Sequence, residues 1–241
     1  MILFLLEGLA MAEEAAPGFT LQEIWDHSGF IARSVIICLI LMFVWSFVVG
    51  IERWLAFGKA RKQSMQLAAD IVPKLQSNDI DGALALTKAE DYSASYLAGM
   101  LRAGLTELSS RSDAAGVVNA ARAVEKAHHE EVSKMKKGMT ILATTGSTAP
   151  FVGLFGTTFG VINAFQGMAE AGSGLASISA GISEALITTG VGIGVAVWGV
   201  WLFNYYTARA DKVKDELHAS EADFNDWADK LLQEPVQAAG K

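Results

Sequence analysis

Residues 140–169 carry no charged side chain, and after a short turn a second stretch, 178–205, is interrupted by Glu184 alone. A helix needs about 20 apolar residues to cross about 30 Å of hydrocarbon. Its backbone groups must pair internally, because lipid offers them no partner. Both stretches meet that length, and so does 34–51 (SVIICLILMFVWSFVVGI), which is bracketed by Arg33 and by Glu52 and Arg53. These three runs predict an all-α membrane protein with three transmembrane helices. A charged content of 19% agrees with that class, since soluble domains carry about a quarter. The net charge of −7 argues against nucleic acid as the main partner. The start, MILFLLEGLA, lacks the basic lead of a signal peptide, so the first helix is expected to stay as an anchor. Cys38 lies inside the first apolar run and is expected to be a small packed side chain.

Basic residues set the orientation. Neither the first 32 residues nor 169–183 contain Lys or Arg. Arg53, Lys59, Arg61 and Lys62 follow the first span, Lys134, Lys136 and Lys137 precede the second, and Arg209, Lys212 and Lys214 follow the third. The positive-inside rule then puts the N-terminus outside and both large polar regions in the cytoplasm. The expected division is an outer N-terminal segment at 1–33 and spans at 34–54, 139–169 and 178–206. A cytoplasmic helical domain at 55–138, an outer turn at 170–177 and a cytoplasmic helix and tail at 207–241 complete it. Trp54, Tyr205 and Tyr206 fall where interfacial aromatics belong. In the outer segment Thr20 and Glu23 form a capping box, and Phe19, Leu21, Ile24 and Trp25 supply the apolar side of a surface helix.

The cytoplasmic region reads as a helical bundle. Leu67, Ile71 and Leu75 recur at helical spacing before a break at Ser77-Asn78, and Asp79 opens a new helix. Leu97, Leu101, Leu105 and Leu108 mark another. Asp113 caps a last helix through Val117, Ala121, Val124, Ala127 and Val132, with no stop signal before Thr140, so it is expected to run into the second span. Val213, Leu217, Phe224, Trp227 and Leu231 line one side of the tail. Glu125-x-x-His128 looks like half of a bundle metal motif, but it occurs once. A solvated helical face is the expectation there, with no metal and no cofactor.

The second and third spans carry small residues in register. Gly146, Gly153, Gly160 and Gly167 fall seven apart, with Ala149, Gly156, Thr157 and Ala164 on the same side. Ala185, Thr189, Gly192, Ala196 and Gly199 make a second stripe. In lipid such stripes let helix backbones approach closely, and two of them predict packing on several sides, hence a homo-oligomer. Thr157 precedes Met168, and Thr189 follows Ile178, by eleven positions each. At about 1.5 Å per residue both hydroxyls then lie about 17 Å below the outer boundary, near the midplane. Asn163 should share the level of Glu184.

A carboxylate in lipid faces a partner or a wet cavity. No basic residue lies within the second or third span to neutralise Glu184, so a functional carboxylate is expected. Glu184 and Thr188 share one helix face, with Thr189 next round it. An oligomer would gather these residues into a ring of carboxylates above a ring of hydroxyls, a polar path through Thr157, Thr188 and Thr189. The competing role for a buried Thr is a bond to the carbonyl three or four residues back, and this is the expectation for Thr144, Thr145, Thr148 and Thr158. All four histidines fall outside the spans. No HExxH, P-loop or nucleophile elbow occurs, so an enzyme is not expected.

The runs APFVGLFGTTFGVINAF and ISEALITTGVGIGVAV resemble the ExbB/TolQ/MotA family of bacterial proton-channel subunits, and the resemblance covers all three spans. Its MotA members have four spans, so three spans place the chain nearer ExbB or TolQ. The resemblance implies an inner-membrane pentamer with a periplasmic N-terminus. It implies a ring around two copies of an ExbD- or TolR-like single-span partner whose membrane aspartate carries the proton. The family's pore threonines fall on Thr157 and Thr189, and its pore glutamate on Glu184. The implied output is mechanical work on a TonB- or TolA-like protein. A gliding or secretion motor and a passive membrane scaffold are the alternatives. The chain departs from the family in lacking a proline shortly before Glu184, in Thr188, and in Thr158-Phe159.

Overall fold

The computed structural model describes residues 29–111, 113–171 and 175–238. The expected surface helix with Thr20 and Glu23, and part of the outer turn, lie outside these. The described chain is helical without a strand. Its helices are α1 (Phe30–Gln76), α2 (Ile80–Lys88), α3 (Tyr96–Ser110), α4 (Ala114–Lys136), α5 (Met139–Ala171) and α6 (Leu175–Ala238), with a short 3₁₀ turn at Glu90–Tyr92. Three of these helices, α1, α5 and α6, are long and apolar enough to cross a membrane, as the sequence predicts. The chain divides into two compact units, one of residues up to 44 with 145–198, the other of 45–144 with 199–241.

The second unit is a helical bundle built by the apolar stripes. Leu67, Ile71, Leu97, Leu101, Leu105, Leu108, Val117, Val124, Ala127, Val213, Leu217 and Phe224 are all buried in one core. Trp227 and Leu231 pack against it half-buried, and Trp227 Nε1 donates to the Leu75 carbonyl at 2.9 Å. Gly104 marks the tightest approach: a Cβ there would lie 2.5 Å from both Phe224 Cζ and Val124 Cγ2.

Helix ends follow from side-chain chemistry. α1 stops where Asn78 adopts φ 55°, a left-handed conformation that Asn tolerates. Asp79 then accepts the Gly82 N–H at 2.9 Å, Ser95 that of Ala98 at 3.1 Å, and Asp113 that of Gly116 at 2.8 Å. Each satisfies an amide the first helical turn cannot pair. The expected run-on of α4 into the second span does not occur. Lys137 is extended and Gly138 has φ 78°, a position glycine enters without Cβ strain. That break separates α4 from α5.

Three further side chains differ from expectation. His128 is 5% exposed rather than solvated, because it faces Glu221, with Nδ1 and Oε2 2.6 Å apart. Tyr206 is buried rather than interfacial: it stacks on Phe57 and donates to the Gly50 carbonyl at 2.6 Å. Cys38, expected to be packed, is exposed on the chain, since the core-facing positions of its helix are Val35 and Leu39.

The first unit has a thin core. Val35, Leu39, Ala149, Val195 and Ala196 are buried, with Met42, Val152 and Val191 packed against them. Its outward faces are apolar: Ile40, Leu41, Phe151, Phe155, Leu186 and Val197 are all exposed. An apolar exterior of this extent fits surroundings of lipid or other helices rather than water.

Candidate functional site

Small residues bring α5 and the first part of α6 together. A Cβ on Gly153 would lie 2.8 Å from the Thr188 carbonyl and 3.0 Å from Thr189 Cα. On Gly192 it would lie 2.8 Å from the Ala149 carbonyl, and on Gly160, 2.8 Å from Ala185 Cβ. Gly156 meets Thr188 Oγ1 at 2.5 Å by the same measure, and Gly181 meets Ala164 Cβ at 2.6 Å. The helices therefore run antiparallel in backbone contact over about three turns, along the stripe read from the sequence. Gly153, Gly156, Gly160 and Gly192 are consumed by this seam within one chain. Gly146 is buried. Gly167, Gly190 and Gly194 have open space where a Cβ would stand.

The polar residues divide by where the seam leaves them. Thr188 is fully buried, and its hydroxyl donates to the Ala185 carbonyl at 2.7 Å and lies 3.3 Å from the Gly153 carbonyl. Its oxygen faces the seam between α5 and α6. Thr157 and Thr158 both donate to the Leu154 carbonyl, at 2.7 and 3.0 Å. Thr157 thus makes the local bond expected of a packing threonine. Thr189 does not: its Oγ1 is buried and has no hydrogen-bond partner among the described residues.

The seam also sets the height of the two candidate pore threonines. Gly156 meets Thr188 and Gly160 meets Ala185, while the Cα of Thr189 backs onto Gly153. These pairings put Thr189 opposite 153–156 of α5, within one helical turn of Thr157, or less than about 6 Å along the axis.

Glu184 is half-buried, and its Oε1 accepts the backbone N–H of Gly29 at 2.9 Å. A Cβ on Gly29 would lie 3.5 Å from Asn163 Nδ2, so Asn163 and Glu184 approach the same backbone. This agrees with their predicted common level. The N-terminal end of α1 presents unpaired amides and a partial positive charge, which suit a carboxylate. The sequence reading missed Gly29. The signal was its place just ahead of a long apolar helix, where amides lack partners.

Residues 93–219 match the family model of the MotA/TolQ/ExbB proton channel family. The chain belongs to that family. The matched region contains the whole α5–α6 seam and Glu184. A Tol-Pal system protein TolQ of Pseudomonas aeruginosa is 39% identical over 119 residues, 46% of this chain and 52% of that protein. A biopolymer transport protein ExbB of Xanthomonas campestris pv. campestris is 40% identical over 105 residues, 40% of this chain and 42% of the relative. An ExbB protein of Salmonella typhimurium is 29% identical over 207 residues, 80% of each chain. The first two matches span only about half the length of those relatives. Family membership and the three long apolar helices make this a membrane protein of a channel family, nearest ExbB and TolQ, and not of an enzyme family.

Proposed function

We propose that the chain is a proton-channel subunit of an inner-membrane complex that turns proton motive force into mechanical work. In this reading it forms a homo-oligomeric ring, a pentamer by family likeness, with its N-terminus periplasmic and its C-terminus cytoplasmic. The ring encloses an ExbD- or TolR-like single-span subunit bearing a membrane aspartate. The driven partner is TonB- or TolA-like, serving outer-membrane transport or envelope integrity.

The single observation that carries the proposal is the Thr189 hydroxyl, buried in an apolar helix without a partner among the described residues. Buried polar atoms are nearly always paired, and lipid pairs nothing. In this reading the partner is water, a hydronium or the acid of a neighbouring helix. Thr189 stands for the proton-exchanging step. Thr157 holds the second hydroxyl within one turn, and its oxygen keeps acceptor capacity while its proton is bound to Leu154. Glu184 sits on the outer side as the entrance carboxylate. Thr188 takes the supporting role, holding the seam that fixes Thr189. A proton crossing 100 mV supplies about 2.3 kcal/mol, so sustained work takes several per cycle.

The test is energised transport in cells. Thr189→Val keeps the shape and removes the hydroxyl. It is expected to abolish transport at normal protein level and assembly, whereas Thr158→Val is expected to leave it. Wild-type transport by Thr189→Val would leave the passive scaffold as the better reading.

A further inference from the structure

The second unit holds a cluster that the proton pathway does not use. His128 lies on α4, and His218 and Glu221 lie three positions apart on α6. The rings of His128 and His218 have centroids 6.2 Å apart, tilted by 41°, and His129 stacks on His128 at 5.4 Å. One donor atom from each of His128, His218 and Glu221 lies within 4.8 Å of the other two. His128 Nδ1 is engaged with Glu221 Oε2 at 2.6 Å, while its Nε2 is buried with no hydrogen-bond partner among the described residues.

A buried histidine tied to a carboxylate is common packing, and that reading accounts for Nδ1. It does not account for Nε2. A neutral ring that donates its Nδ1–H to Glu221 leaves Nε2 with a buried lone pair to which no described residue donates. A lone pair of that kind, beside a second imidazole, matches the needs of a cation. Two imidazoles that share one zinc at about 2.1 Å hold their ring centres about 5 to 6 Å apart, slightly less than the spacing seen. The His218 side chain is exposed, so a movement of about 1 Å closes the difference without disturbing the core.

We propose that His128 and His218 bind a divalent transition-metal ion of the zinc class between α4 and α6. His128 Nε2 and one His218 nitrogen are the protein ligands, and water completes the shell on the exposed side. Glu221 is a positioning residue: by accepting Nδ1–H it fixes the ring and its tautomer and raises the basicity of Nε2. Imidazole donors favour zinc, copper or nickel over magnesium or calcium. The ion would tie α4 to α6 across the bundle. The inference is independent of the proton pathway.

The test uses the full chain purified in detergent, stripped with chelator and titrated with Zn²⁺, with Co²⁺ as a visible-absorbance probe. One ion per chain is expected, with a rise in unfolding temperature on binding. His218→Ala is expected to weaken binding at least tenfold and abolish that rise, while the metal-free protein melts as wild type because His218 is exposed. Glu221→Gln should weaken binding about tenfold or more, the usual effect of losing such a partner. His129→Ala should bind as wild type. Should His128→Ala fail to fold, the His218 and Glu221 variants still decide. Absence of stoichiometric binding, or wild-type affinity in His218→Ala, overturns the proposal.

Discussion

The carboxylate of Glu184 accepts the backbone N–H of Gly29 from 155 positions away, at 2.9 Å. The acidic residue in the third span therefore serves α1 as an N-terminal cap delivered from another helix. Structure and charge are both invested in one side chain, and substitutions can separate them.

Glu184→Gln keeps a carbonyl oxygen for Gly29 and removes the charge. It is expected to retain assembly and near-wild-type thermal stability while energised activity falls at least tenfold. Glu184→Ala removes the cap as well, and loss of such a cap costs about 0.5–2 kcal/mol. Thermal unfolding in detergent beside a transport assay separates the two effects.

The seam predicts opposite outcomes for glycines two positions apart. Gly192→Ala would push a Cβ to 2.8 Å from the Ala149 carbonyl. Overpacking against backbone costs about 1–3 kcal/mol, so the melting temperature should drop. At Gly190 nothing lies within 4 Å. There Gly→Ala should leave the single chain intact or stabilise it by up to about 1 kcal/mol through helix propensity.

Tyr206→Phe tests the corrected place of that residue. It leaves the stacking on Phe57 and deletes the 2.6 Å bond to the Gly50 carbonyl. A loss of about 1 kcal/mol is expected, visible in denaturant or thermal unfolding. An unchanged midpoint would return Tyr206 to the interface.

Asp113 gives a pH signature outside the membrane. The hydrogen bond from Arg111, then that from the Gly116 amide, hold its carboxyl below the ordinary value. A depressed folded value means its contribution is present above the unfolded carboxylate range, near pH 4, and is lost as pH falls through the folded value. Carboxyl NMR of the labelled protein should find Asp113 titrating below free aspartate, and Arg111→Ala should move it upward.

Much of this arrangement was legible in the sequence, because it rests on local chemistry. The three spans follow from apolar length, the starts of α2 and α4 from Asp79 and Asp113, and the bundle core from leucines at helical spacing. The small-residue stripes marked close helix packing, but their expected contacts were between subunits, whereas Gly153, Gly156, Gly160 and Gly192 meet the α5–α6 seam of one chain. What escaped prediction needed a third dimension. The break at Gly138 depends on one backbone angle. The burial of Tyr206 and His128 depends on which distant helix meets them. The height of Thr189 beside Thr157 depends on how the seam sets α5 against α6. Gly29 acts through a backbone amide, and no side chain announces it.

The most direct measurement is water access to position 189 in the assembled membrane protein. In a Cys38→Ser background, Thr189→Cys should react with a small water-soluble thiol reagent in intact membranes, and protonophore treatment should change its rate. Position 41 on α1, where Leu41 is exposed on the chain, should react only with a lipid-soluble reagent. A cysteine at 189 that resists the aqueous reagent in the complete complex, yet reacts on denaturation, contradicts a wet pathway along α6.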